Sequence, residues 1–309
     1  MVARPLLLIG QPHLAPLLSL LAADYDVMSL WDQPDAAALQ RVDALIWAGE
    51  FILGSELVDA MPHLRLIACF TVGYDGVDLA LARERGIAVT HAGDVNAEDV
   101  ADHAIGLMIA HRRWIVAGDR HVRAGQWTVE AKTRTRSMGA ARLGIVGMGA
   151  IGIAVAERAQ AMKMAIGWWG PRDKPALPWP RAASLMALAA DSDIMLVAAR
   201  ADDHNRRMIA APIMDALGPD GLLVNVARGQ LVDEDALIAA LTSGRLGGAA
   251  IDVFDPEPTD PARWVDVPNV VLTPHTGGAT HAAVGRMAQM LMANLSAHFA
   301  GAPLPSPVA

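Results

Sequence analysis

The chain has 309 residues, a formal net charge of −8, 53% hydrophobic residues and a single cysteine, Cys69. That length suits two domains of ordinary size, and the negative charge, with no dense Lys/Arg cluster, argues against nucleic acid or an anionic membrane surface as the main partner. One cysteine makes neither an intrachain disulfide nor a cysteine metal cage, which points to the reducing cytoplasm, and no apolar run reaches the roughly 20 residues of a membrane-spanning helix.

Short apolar runs alternate with Ala/Leu-rich stretches of helical period, which predicts an α/β fold of parallel strands joined by crossover helices. The opening MVARPLLLIGQPH reads as a buried strand, because Pro12 and His13 stand where a secretory apolar core would have to continue. Further strands are expected at 44–47, 66–70 and 88–90, with Cys69 as core. A long helix is expected from 96 to about 124, with Asn96 as its N-cap and Glu98 and Asp99 in its first turn. His103, His111 and His121 on it are too far apart for a helical metal pair and are assigned to packing or surface; no metal site is expected. A second group of strands is expected at 143–146, 165–169, 194–198, 222–225, 249–253 and 270–272. A closing helix, 280–299, carries Ala283, Met287, Met290, Leu291 and Leu295 as a core stripe and stops before a Pro-rich tail.

The string LGIVGMGAIG puts Gly147, Gly149 and Gly152 directly after an apolar strand and before a helix with Ile151, Val155, Ala159 and Met162 on its inner face. In that context Gly147 permits the tight turn, Gly149 lets the backbone approach a pyrophosphate, and Gly152 lets helix and strand pack closely. The diphosphate then rests on the helix N-terminus, at Ala150 and Ile151. The acidic residue that would hold the ribose hydroxyls about 20 positions on is absent: Gly170 takes its place, and Arg172 and Lys174 follow. Nothing then repels a 2′-phosphate, and a guanidinium can grip one through two parallel hydrogen bonds, so NADPH is expected over NADH. The alternative is a solvated Arg172 with Asp173 on the ribose. Trp168 and Trp169 are expected in the sheet core.

With that turn placed, the chain resembles the D-isomer-specific 2-hydroxyacid dehydrogenases almost end to end, and most of all their glyoxylate/hydroxypyruvate reductase branch. The matching pieces are VGYDGVDL from Val72, NAEDVADHAIGLMIAHRR from Asn96, GMGAIG from Gly147, NVARGQLVDEDAL from Asn225, IDVFDPEP from Ile251 and TPHTGGAT from Thr273. The resemblance implies a discontinuous, flavodoxin-like substrate domain, 1–95 with 280–309, and an inserted Rossmann coenzyme domain, 96–279, with the site in a cleft between them. It implies NADPH-dependent reduction of a small 2-oxo acid to the D-2-hydroxy acid by a homodimer assembled through the coenzyme domain, for which the helix from Asn96 offers an apolar face.

Carried over residue by residue, the resemblance makes Arg228 the group that binds the substrate carboxylate and carbonyl oxygen, His275 the general acid/base and Glu257 its partner. The backbone N–H groups of Val72 and Gly73 complete the carboxylate site, Asp252 holds the nicotinamide carboxamide, and Val226 joins the cofactor contacts. The chemistry is sensible in its own right, since reducing a ketone needs a hydride on carbon and a proton on oxygen, and histidine is the side chain best suited to donate near neutral pH. Each residue also has a structural alternative: Arg228 and Glu257 as an ion pair, His275 as a packed histidine beside Pro274, Asp252 as a helix cap.

Three departures from the family pattern stand out. Arg200 replaces a usual proline and offers a second cation for a 2′-phosphate; Lys132, Arg134 and Arg136 occupy a loop that is usually short, read as a solvated basic loop in preference to a site for a further anionic group; and Gly277 and Gly278 leave little bulk after His275. Formate dehydrogenases carry glutamine where this chain has Glu257, and phosphoglycerate dehydrogenases have a C-terminal domain for which there is no counterpart. The rival from another class is a weakly catalytic, NAD(P)H-sensing binding protein of the corepressor type.

Overall fold

In the computed structural model, which describes residues 4–130 and 134–308, the strands form two parallel sheets. The chain divides into two units, Met1–Asn96 with His281–Ala309, and Ala97–Thr280. No helix among the described residues is long and apolar enough to cross a membrane.

In the first unit β1 (Leu6–Ile9), α1 (Leu17–Leu21), β2 (Asp26–Ser29), α2 (Ala36–Leu39), β3 (Ala44–Trp47), α3 (Ser55–Asp59), β4 (Leu66–Cys69), α4 (Leu79–Glu84) and β5 (Ala88–Thr90) follow in order. The far end of the chain adds α11 (His281–Phe299). The sheet order is β2-β1-β3-β4-β5. Because strand side chains alternate, Leu7, Ile9, Ile46 and Leu66 pack with α1 and α11, while Leu8, Leu45, Trp47, Ile67 and Cys69 pack with α3 and α4. Each fully buried Leu or Ile contributes ~1.5–3 kcal/mol. Strand β2, with the sequence DVMS and one fully buried residue, was not among the expected strands.

The second unit opens with α5 (Ala97–Arg112) and α6 (Ile115–Arg123), continues through β6 (Arg142–Val146), α7 (Ala150–Ala161), β7 (Ala165–Trp169), α8 (Leu185–Ala190), β8 (Ile194–Val197), α9 (Ala211–Leu217), β9 (Leu222–Asn225), α10 (Glu234–Thr242) and β10 (Gly248–Ile251), and ends with β11 (Val270–Leu272). Its order, β11-β10-β9-β8-β6-β7, reverses direction at β6, and in such open sheets ligands bind at the carboxyl ends of the strands beside the reversal. The α/β class with two parallel-sheet domains is the expected one.

The single helix expected from 96 to 124 is two. Trp114 adopts φ 57°, a left-handed conformation that ends a helix, and the Arg112 carbonyl accepts the Arg136 N–H at 3.0 Å instead of continuing the ladder. Val100, Ala101, Ala104, Leu107 and Met108 of α5 are buried with α7 in the unit's own core. The apolar face expected to serve a partner is therefore occupied, and the exposed apolar side chains lie further on, at Ile115, Val122, Trp127 and Val129.

Candidate active site

The glycine turn caps β6. Gly147 has φ +95°, and a Cβ there would stand 2.6 Å from the Ala199 Cα; a Cβ on Gly152 would overlap the Gly147 carbonyl. Both positions require glycine, the first for its backbone conformation and the second for the approach of α7 to the strand. Gly149 differs: it is the N-cap of α7 with no side-chain cap, and a Cβ built on it would meet nothing within 4 Å. Ala150 and Ile151 form the first helical turn. The result is a cradle with backbone N–H groups at a helix N-terminus and open space above them, which fits a dinucleotide diphosphate.

Asp252, directly after β10, is 2% exposed and carries the hydrogen bonds that shape the 273–277 loop. Its Oδ1 accepts from Thr273 Oγ1 at 2.5 Å and Thr276 N at 2.9 Å, and its Oδ2 accepts from Gly277 N at 2.9 Å. His103 Nε2, on α5, lies 3.2 Å from Asp252 Oδ1 and 3.0 Å from Thr273 Oγ1. Burial pushes the Asp252 carboxyl up, but these hydrogen bonds outweigh it and hold it below the usual carboxylate range. With three of these four neighbours on Oδ1, the remaining acceptor capacity of the carboxylate is on Oδ2. The Asp252 carbonyl also accepts the His275 N–H at 2.8 Å. His275 is thereby held at φ 54°, a conformation that is uncommon for a side-chain-bearing residue and costs of order 1–3 kcal/mol.

Held this way, His275 Nδ1 lies 2.6 Å from Glu257 Oε2, while Glu257 Oε1 accepts the Phe254 N–H at 2.8 Å. A carboxylate only accepts, so Nδ1 carries the proton in this pair and Nε2 faces away from it. The hydrogen bond to Glu257 raises the His275 pKa; burial and the Arg228 charge oppose it, and the Glu257 and Asp252 charges add to it. Burial alone would raise Glu257, but the His275 and Phe254 hydrogen bonds and the His275 and Arg228 charges hold it below its ordinary value. Arg228 therefore sits within electrostatic reach of both.

Arg228 is fixed from below. Its carbonyl accepts from Asn225 Nδ2 at 2.9 Å, and its NH1 donates to the Ala227 carbonyl at 2.8 Å. A Cβ on the following Gly229 would overlap the Phe254 carbonyl carbon, so only glycine lets the 254–257 loop lie against this turn. Buried Glu234 ties the same loop from the other side by accepting the Asp255 N–H at 2.7 Å.

The remaining expected residues are distributed as follows. Val72 and Gly73 are in the first unit, on the loop after β4, where Thr71 Oγ1 accepts the Gly49 N–H at 2.9 Å. Among the backbone hydrogen bonds of the described residues none is donated by Val72 or Gly73. Val226 is buried just past β9, and Gly170 is buried at the end of β7 with Arg172 exposed beyond it. Trp168 is 2% exposed and Trp169 packs on the opposite face of the sheet. Arg200 is exposed after β8. Lys132 lies outside the described residues; Arg136 is half-exposed and paired with Asp220. Sequence reasoning missed His103 and Thr273 as supports of the His275 loop. Both lay within recognised motifs, but nothing local marked either as a partner of Asp252. No cluster of three metal-ligating side chains occurs among the described residues.

Residues 105–277 match the model of the D-isomer specific 2-hydroxyacid dehydrogenase NAD-binding domain. The chain belongs to the D-isomer specific 2-hydroxyacid dehydrogenase family. It is 40% identical to hydroxyphenylpyruvate reductase of Plectranthus scutellarioides, with 97% of this chain and 99% of that protein covered. It is 38% identical to a glyoxylate/hydroxypyruvate reductase of Arabidopsis thaliana, with 92% of each covered. Among solved structures, the NADPH-dependent glyoxylate/hydroxypyruvate reductase of Sinorhizobium meliloti, in complex with NADP and malonate, superposes with a TM-score of 0.91 at 33% identity, over 99% of this chain and 97% of that one. Like the rest of this dehydrogenase family the protein is an oxidoreductase, and its second unit is the Rossmann domain that takes a nicotinamide dinucleotide.

Proposed function

We propose that this dehydrogenase reduces a small 2-oxo acid of the glyoxylate/hydroxypyruvate type to the D-2-hydroxy acid, with NADPH as the preferred cofactor. The observation that carries the reading is the 2.6 Å His275–Glu257 pair with the Arg228 charge acting on both. With its pKa raised by Glu257, His275 in its acid form delivers a proton from Nε2 to the carbonyl oxygen, leaving the imidazole neutral. A bound reduced nicotinamide supplies the hydride to the carbonyl carbon, so that C=O becomes CH–OH. Arg228, assigned to the substrate carboxylate and carbonyl oxygen, orients the acid and stabilises charge developing on that oxygen. Val72 and Gly73 contribute N–H donors to the carboxylate in the same reading, and Asp252 Oδ2 accepts from the nicotinamide carboxamide. Val226, Gly147, Gly149, Ala150, Ile151 and Gly152 line the cofactor, and Arg172 binds its 2′-phosphate.

The Arabidopsis thaliana and Sinorhizobium meliloti relatives support the substrate class and the latter supports NADPH, whereas the Plectranthus scutellarioides relative is named for an aromatic 2-oxo acid. The exposed apolar side chains at Ile115, Val122, Trp127 and Val129 support a homodimer, for which light scattering should give twice the 32.6 kDa chain mass. The test of function is the rate of NADPH or NADH oxidation with glyoxylate, hydroxypyruvate, pyruvate, phenylpyruvate and hydroxyphenylpyruvate. Faster turnover with NADPH and a short-chain acid is expected. Preference for NADH would overturn the cofactor assignment, preference for an aromatic acid would overturn the substrate branch, and tight cofactor binding without turnover would replace the enzyme reading with the cofactor-sensing one.

A further inference from the structure

The turn after β4 is gripped by two consecutive residues of the segment that follows β5. The Thr71 carbonyl accepts the Ala92 N–H at 3.0 Å, and the Val72 carbonyl lies 3.1 Å from His91 Nδ1. A trans peptide is planar, and its C=O and N–H point opposite ways. The Thr71 carbonyl shares a peptide with the Val72 N–H, and the Val72 carbonyl shares one with the Gly73 N–H. Holding both carbonyls on the 91–92 segment therefore turns both N–H groups to the opposite side. Successive backbone N–H groups on one side of a turn form a concavity that favours an anion.

His91 is itself tied down from behind. Its backbone N–H donates to the Ser306 carbonyl at 3.2 Å, and its carbonyl accepts from Ser306 Oγ and, at 3.3 Å, from Asn294 Nδ2. Asn294, on α11, is 1% exposed, and its Oδ1 accepts the Ser306 N–H at 3.2 Å. The Tyr74 ring meets the imidazole edge-on, with 5.0 Å between centroids. The Gly93 N–H also points at Nδ1, at 3.2 Å, and one nitrogen cannot serve both neighbours. Bare, Nδ1 accepts from Gly93; protonated, it donates to Val72. An anion on the Gly73 N–H polarises that peptide and makes the Val72 carbonyl a stronger acceptor, which favours the protonated Nδ1.

We propose that His91 is a positioning residue for the carboxylate of the oxo acid, acting through the Val72–Gly73 peptide. This rests on the reading that the Val72 and Gly73 N–H groups bind that carboxylate, and deepens it by naming the side chain that aims the Gly73 donor. Segment 306–308, which runs along β5 and bonds it through the Val308 N–H to the Val89 carbonyl at 2.8 Å, becomes the anchor of that side chain.

The experiment compares KM for glyoxylate, kcat and cofactor affinity in wild type, His91→Phe and His91→Asn. Phenylalanine keeps a ring beside Tyr74 but has no donor, whereas the asparagine amide nitrogen reaches the place of Nδ1 and can donate to Val72. His91→Phe should raise KM about fivefold, the loss of one hydrogen bond, with kcat within about twofold of wild type and cofactor affinity unchanged. His91→Asn should recover most of the loss. If His91→Phe does not fold, Ser306→Ala, which releases the His91 carbonyl, should raise KM in the same way by a smaller factor. An unchanged KM, an equal loss of cofactor affinity, or no recovery in His91→Asn overturns the assignment. Hydrogen exchange at residues 72–73 of the wild type, with oxalate as the carboxylate probe, tests the underlying reading. Slowed exchange supports it, and exchange that oxalate does not slow overturns it whatever the variants do. Slowed exchange in the wild type alongside a KM that His91→Phe leaves unchanged overturns His91 alone.

Discussion

Asp252→Asn is the sharpest test of how the His275 loop is held. The substitution keeps size and shape but turns one acceptor oxygen into an NH2 donor. With the amide oxygen kept on His103, Thr273 and Thr276, the new NH2 faces the Gly277 N–H, which is buried and loses its acceptor at 2.9 Å. An orphaned buried donor costs about 1–3 kcal/mol. The three bonds on the other oxygen fall from charge-assisted to neutral strength, a loss of roughly 0.5–1 kcal/mol each. Together these come to about 2.5–6 kcal/mol, which lowers the melting temperature of a unit this size by on the order of 10 °C. Thermal unfolding followed by circular dichroism without cofactor isolates this effect from any contact Asp252 makes with nicotinamide. A variant melting within about 2 °C of wild type would refute the reasoning. Thr273→Val removes a single 2.5 Å donor and should give a smaller shift in the same direction.

Further consequences follow from the pair and from the turn. In the proposed reading the acid form of His275 is the donor, and its pKa is raised, so the rate of reduction should fall only as pH climbs through a value above the ordinary 6.5. Glu257→Gln, which removes the charge that raises it, should move that limb to lower pH in a pH–rate profile; a limb that stays in place would detach Glu257 from the titration. Gly149→Ala should fold normally, because its Cβ meets nothing, yet weaken cofactor binding measured by tryptophan quenching. Gly152→Ala, whose Cβ overlaps the Gly147 carbonyl, should lose about 1–3 kcal/mol in urea denaturation. The reverse pattern would contradict the assignment of Gly149 to the ligand and Gly152 to packing.

What the sequence revealed was local. The buried strands of both units are short apolar runs, and the glycine turn announces itself because strand, turn and helix are contiguous. Strand β2 escaped because Asp26–Ser29 has polar ends and pairs on one side only. The break between α5 and α6 depends on Trp114 turning left-handed and on the Arg112 carbonyl being taken by Arg136, 24 positions away, neither of which a helical period encodes. His103 was set aside as packing because its partners, Thr273 and Asp252, are brought to it only by the tertiary fold.

The account stands or falls on His275 as the proton donor. The most direct measurement compares wild type and His275→Ala for single-turnover reduction of a 2-oxo acid, with cofactor affinity determined on both. A loss of at least about 100-fold in rate with cofactor affinity unchanged is the predicted result. Near wild-type turnover by the variant would remove His275, and with it the Glu257 pairing, from the mechanism.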